Sequence, residues 1–163
     1  MVRNLILIFL SIVFLGCQES SDNKIAIVIH GGAGTIVKEN MTPELERSYF
    51  LKLEEAIRVG HDILKNGGSS KEAVEKTIHV MENSPLFNAG HGAVLTSDGT
   101  AELDASFMDG ETLDAGAISG VKNIKNPISA AIAVMEKSPY VMLSSNGAEQ
   151  FASEVGLEIV PNS

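Results

Sequence analysis

The run Ile25–Gly34, IAIVIHGGAG, sets the strongest limit on what this chain can fold into. An apolar stretch over residues 24–30, bounded by Lys24 and Gly31, has the composition of a strand buried on both faces. It leaves through a loop with almost no side chains. Such a loop serves either a tight exit that needs positive φ or a close approach of backbone to another segment or a substrate. It is not a phosphate cradle of either common kind. The dinucleotide fingerprint needs G-x-G-x-x-G and the P-loop needs a Gly-Lys-Ser/Thr end, whereas Gly34 is followed by Thr35-Ile36-Val37-Lys38.

Helical signals follow. Thr42-Pro43 offers an N-cap and a proline for the first helical position. Leu45, Tyr49, Leu53, Ala56, Ile57, Gly60 and Leu64 then recur at helical spacing up to a stop at Gly67. Ser69-Ser70-Lys71-Glu72 is a capping box for a second helix, with Val74, Ile78 and Met81 on one face and an end before Pro85. The period then changes. Residues 93–96, 101–108 and 115–121 read as short strands divided by turns at Ser97-Asp98-Gly99 and Asp109-Gly110. Asn126-Pro127 opens a third helix that Ser138-Pro139 stops, 141–143 reads as a strand, and 147–155 as a last short helix. This order defines an α+β or layered α/β fold.

The 163 residues are enough for one domain with a core. A formal charge of −9 and no basic run argue against nucleic acid as a partner. The single cysteine, Cys17, excludes an internal disulfide framework and a cysteine-based zinc site. It lies in the N-terminal leader. Residues 1–16 comprise a short basic start at Met1–Asn4, an apolar run from Leu5 to Leu15, and Gly16. That run is too short to span a bilayer, which takes about 20 residues, and it suits a signal-peptide core. The sequence FLGC is similar to a bacterial lipoprotein cleavage box, with Leu15 larger than the usual residue at its position. The expectation is a lipid-anchored, extracytoplasmic protein with Cys17 acylated and residues 17–23 as a polar tether. An ordinary secretory signal is the alternative.

Two further stretches carry chemistry. The segment 83–95, NSPLFNAGHGAVL, exposes many backbone carbonyls and could bind a hard cation through oxygen alone, or form an Ω-loop held by its own amides. In 101–110, AELDASFMDG, strand geometry puts Glu102, Asp104, Ser106 and Met108 on one face. No histidine stands at ligand spacing from the acids. His30, His61, His79 and His91 are scattered, with His61 and His79 expected at helix surfaces, and the acids read as a solvated strand face.

Taken together, IHGGAG, SPLFNAGHGAVLTSDGTAELDASFMDG and AGAISGVKNIKNPISAAIAVMEKSPYVML closely resemble the N-terminal half of the isoaspartyl peptidase/L-asparaginase (plant-type asparaginase) family. The resemblance runs from about Ile25 to Gly156. The HGGAG opening separates this branch from the sister glycosylasparaginases. It implies an αββα sandwich of the N-terminal-nucleophile hydrolase type, made as a precursor that cuts itself before a threonine in Gly-Thr-Val-Gly.

By the same resemblance, Gly31 and Gly32 give conformational room beside the nucleophile, and Asn88 packs against it. A structural sodium ion is held by the main-chain oxygens of Met81, Glu82, Ser84, Phe87, Ala89 and His91. His91 departs from the family's usual small or aliphatic residue, and Tyr140 stands where many members carry histidine. The implied activity is hydrolysis of β-aspartyl dipeptides and L-asparagine, with no catalytic cofactor, a β-subunit from the same precursor and an (αβ)2 assembly. A glycosylasparaginase, or a non-catalytic paralogue that binds or scaffolds, is the alternative. Gly34-Thr35 and Gly99-Thr100 are the only Gly-Thr pairs, and neither continues as Val-Gly. Residues 24–163 are therefore expected to be an incomplete, α-subunit part of the domain, inactive by themselves.

Overall fold

A computed structural model describes residues 24–32 and 38–161. The leader, the tether and Cys17 lie outside the described residues, as do Gly34 and Thr35. The elements are α1 (Pro43–Lys65), α2 (Ser70–Glu82), β1 (Leu103–Met108), β2 (Ala115–Val121), α3 (Pro127–Lys137), β3 (Met142–Ser144) and α4 (Ser145–Glu154). The fold is α+β.

Local signals start the helices. The Thr42 hydroxyl accepts a hydrogen bond from the Leu45 amide at 3.2 Å, with Pro43 at the first turn. Ser69 Oγ accepts from Glu72 N at 3.1 Å. Gly67, at φ +82°, follows α1 in the left-handed conformation that ends helices. α1 and α2 pack closest at Gly60, where a Cβ would fall 2.2 Å from Thr77 Oγ1 and 2.3 Å from Ile27 Cδ1.

The three strands form one sheet in the order β1-β2-β3, antiparallel then parallel. An irregularity between Leu103 and Ala105 shifts the register. Asp109 Oδ1 shapes the β1–β2 turn by accepting from the amides of Glu111 (2.8 Å) and Thr112 (3.0 Å). One sheet face carries Leu103, Phe107, Ile118 and Val121 and is buried; Asp104, Ser106 and Met108 on the other are exposed. α3 covers the buried face, with Ala130 and Val134 in a cluster shared with α4, and Ile128, Ala131 and Ile132 turned toward Val74 and Ile78 of α2. Its approach is so close that a Cβ on Gly116 would lie 2.1 Å from the Ala131 carbonyl oxygen.

Five expected elements change. Residues 24–30 form no strand: they pair with nothing among the described residues. Ile27 and Ile29 are half-buried while Val28 is 91% exposed, so only one face is covered. A continuous apolar run has strand composition, but a ladder needs a neighbouring backbone. Residues 93–96 reduce to a single bridge, Leu95 to Ala101, because Thr96–Thr100 closes immediately into a turn. The 101–108 strand begins only at Leu103, after that bridge, and the last strand and helix shift to Met142–Ser144 and Ser145–Glu154. Of the αββα sandwich, the described residues supply one sheet and its helical cover.

Candidate active site

The two glycine-rich stretches meet at Phe87. This ring is 5% exposed and sits edge-on to Tyr49, with centroids 5.9 Å apart at 76°. A Cβ on Gly31 would lie 3.5 Å from Phe87 Cε1 and 3.2 Å from Leu53 Cδ2, so the loop backbone runs directly over these side chains. Gly32 adopts φ +115°, a conformation closed to ordinary residues. Its amide donates to His30 Nδ1 at 3.1 Å, which folds that histidine onto its own loop. Gly31 lies in close approach to another segment, and Gly32 takes a positive φ although no strand precedes it for the loop to leave. Beside them opens a largely apolar cleft of about 370 Å3, lined by Gly31, Gly32, Met41, Tyr49, Phe50 and Phe87 among others.

Asn88, next in the chain, is exposed. Its Oδ1 accepts from the Val94 amide at 3.0 Å across the turn. Its Nδ2 is a donor of two hydrogens. Within the turn, amide donors reach the carbonyls of Met81 (from Ser84, 3.1 Å), Phe87 (from Ala89, 2.8 Å) and Ala89 (from Gly92, 3.1 Å). The loop is thus held by its own backbone. Its glycines are filled in by carbonyls: a Cβ on Gly90 would meet Glu82 O at 2.4 Å, and one on Gly92 would meet Phe87 O at 2.3 Å and Pro85 O at 2.9 Å. Met81, Glu82, Ser84, Phe87, Ala89 and His91 all belong to this compact turn or the helix end leading into it. The carbonyls of Met81, Phe87 and Ala89 already accept these amide bonds, as in a loop held by its own amides. Among the described residues, no group of three or more His, Cys, Asp or Glu is placed to hold a metal ion.

The side chain of Glu82 has a different task, which the sequence reading missed. It is 4% exposed. Its Oε1 accepts from the Ile128 amide and its Oε2 from Asn126 Nδ2, each at 3.0 Å. Asn126, the N-cap residue of α3, makes no side-chain cap bond of its own. The carboxylate of one helix therefore satisfies an orphan amide at the start of another. Burial pushes the Glu82 carboxyl up to about 7 from 4.5, against the opposing pull of the Asn126 and Ile128 hydrogen bonds. One signal was available: an acid in the last turn of a helix opposes the helix dipole, so Glu82 needed a partner elsewhere.

His79 is half-buried rather than at the surface. Its Nε2 lies 2.7 Å from Ser129 Oγ, which donates to Glu75 Oε1 at 2.6 Å, so this group ties α2 to α3. Burial lowers the His79 pKa below 6.5, with Lys76 acting in the same direction. His61 is exposed as expected. The strand acids stay on the solvent face: Glu102 pairs with Lys122 at 3.0 Å, and Asp104 accepts from the Gly120 amide at 2.8 Å. That bond, with a second from Ser119, holds the Asp104 carboxyl below its usual range. Tyr140 is exposed in the turn before β3.

These features define an α+β chain whose candidate site is built mainly from glycine backbone, loop carbonyls and one exposed asparagine. The chain belongs to the asparaginase family, whose model matches residues 23–163. It is 47% identical over 135 residues to an isoaspartyl peptidase of Salmonella typhimurium, covering 83% of this chain and 43% of that protein. An isoaspartyl peptidase/L-asparaginase of Xenopus laevis is 46% identical over 139 residues, covering 85% and 43%. A plant-type L-asparaginase of Pyrococcus furiosus is 49% identical over 132 residues, covering 81% and 42%. The chain thus spans about two fifths of the length of these relatives.

Proposed function

We propose that the full-length protein hydrolyses β-aspartyl dipeptides and L-asparagine, releasing aspartate. The observation that carries this reading is the meeting of Gly31–Gly32 with Phe87 at one cleft, with Asn88 the next residue in the chain, in a chain of the asparaginase family. Relatives bearing both names, isoaspartyl peptidase and L-asparaginase, support both substrates.

The chemistry needs an activated nucleophile. Thr100 is engaged in its own turn, with Oγ1 3.1 Å from Thr96 Oγ1, and the 163 residues hold no Gly-Thr-Val-Gly. By the family resemblance we assign the nucleophile to the threonine of a Gly-Thr-Val-Gly motif in the full-length precursor, freed by self-cleavage. Its hydroxyl attacks the side-chain carbonyl of the substrate while its α-amine takes the proton. The C–N bond breaks to release ammonia or the amino-acid partner, and water then frees aspartate from the acyl-enzyme. Gly31 and Gly32 leave room beside this threonine, and Asn88 Nδ2 donates toward it.

Sodium on the carbonyls of Met81, Glu82, Ser84, Phe87, Ala89 and His91 would stiffen the turn that presents Asn88. It takes no chemical part. We place the protein outside the cytoplasm, acylated at Cys17, as an (αβ)2 assembly. Mass spectrometry of the purified full-length protein tests the nucleophile assignment. Two fragments are expected, the second beginning with threonine; an uncut chain that still turns over substrate overturns it.

A further inference from the structure

We propose that Glu82 is a positioning residue: its buried carboxylate locks the 82–94 turn, and with it Asn88, onto the start of α3 and so onto the sheet. The proposal rests on the reading of Asn88 given above. It is independent of the cation, which would engage the Glu82 main chain and not its side chain.

The connections run in one line. Gly116 seats α3 on β2 with almost no tolerance. The first turn of α3 presents the Ile128 amide and the Asn126 side chain, both donating to the Glu82 carboxylate at 3.0 Å. Asn126 Nδ2 also reaches Asn83 Oδ1, at 3.3 Å. The Glu82 carbonyl then fills the space where Gly90 lacks a side chain. Gly90 lies within the turn that Asn88 Oδ1 closes on Val94. The remaining polar ties between α2 and α3, Glu75 and His79 to Ser129 and Lys71 to Glu136, lie earlier along α2 and do not reach the turn. Among the described residues, Glu82, with its two bonds at 3.0 Å, is the main side-chain tie from the α3 start to the turn, and Asn83 adds a longer one at 3.3 Å. A site of this kind tolerates displacements of only about half an ångström.

The experiment uses the full-length, processed protein. It compares Glu82→Ala, Glu82→Gln and Asn126→Ala with Glu75→Gln, which breaks a tie in the same interface without touching the turn. Two quantities are read: hydrogen exchange at the Gly92 and Val94 amides relative to β2 amides, and the kinetic constants for L-asparagine and a β-aspartyl dipeptide. For Glu82→Ala, exchange at Gly92 and Val94 should accelerate by about tenfold beyond any change in β2, with kcat reduced about tenfold or more and KM held within about twofold. Asn126→Ala and Glu82→Gln should give smaller changes of the same sign, and Glu75→Gln should leave the exchange ratio unchanged. If Glu82→Ala does not accumulate, Glu82→Gln carries the comparison. Exchange at the turn that merely tracks β2, or that rises equally in Glu75→Gln, overturns the proposal. If the unsubstituted protein hydrolyses neither substrate, the functional reading fails, and the exchange ratio still decides whether Glu82 holds the turn.

Discussion

Replacing Gly116 with alanine tests the closest approach in the fold. The added methyl would sit 2.1 Å from the Ala131 carbonyl oxygen and 2.5 Å from the Met135 amide nitrogen. Both are backbone atoms of a helix, so no rotamer change relieves them. Reaching an ordinary contact of 3.4 Å from 2.1 Å requires α3 to retreat by about 1.3 Å. That shift would disturb Ala130 and Val134, both fully buried, and would strain the Glu82 contacts at the helix start. Alanine in a strand is intrinsically favoured over glycine by about 0.5–1 kcal/mol. Overpacking costs about 1–3 kcal/mol and should win. Gly110→Ala is the control, since nothing lies within 4 Å of its Cβ position and its φ is not positive. In urea unfolding of the full-length protein, Gly116→Ala should be the less stable variant by up to about 2.5 kcal/mol, the overpacking cost less the strand preference, and Gly110→Ala close to neutral. Equal stability of the two would show that α3 does not seat on β2 as described.

The raised Glu82 carboxyl predicts a pH signature. Its protonated form contributes stability that is fully present below 4.5 and is lost as pH rises to about 7. The loss is at most about 3 kcal/mol, and Glu82→Gln should flatten that part of the stability–pH profile; a slope unchanged in the variant assigns it to other groups. Removing sodium and potassium should lower the thermal midpoint of the full-length protein and leave pH dependence from Glu82 in place; equal stability with and without the ions rules out the carbonyl site. Cys17→Ser should release the protein from the membrane fraction of its host, and unchanged association would sink the lipid-anchor reading.

The helices were legible because their signals are local. Thr42-Pro43, Ser69 with Glu72, and Asn126-Pro127 each start a helix where an orphan amide or a fixed φ favours one. The β1–β2 turn at Asp109-Gly110 was legible for the same reason. What escaped depends on groups distant in the chain. Residues 24–30 have strand composition, yet no backbone among the described residues lies alongside to pair with them. Nothing in residues 93–96 announces that one bridge will end the ladder. Glu82 as the cap of α3 spans 46 residues, beyond any periodicity or spacing rule. At the candidate site the glycines and Asn88 were visible as motifs, but Phe87 as the side chain on which both stretches meet was not, because burial is a property of the packed chain.

The most direct test of the central claim is aspartate release by the purified full-length protein from a β-aspartyl dipeptide, with L-asparagine and a glycan-linked asparagine as competing substrates. The account predicts turnover of the dipeptide and of asparagine, strongly reduced by Asn88→Ala, with the glycan conjugate untouched. Release from the glycan conjugate alone, or no release from a self-cleaved and folded protein, would contradict it.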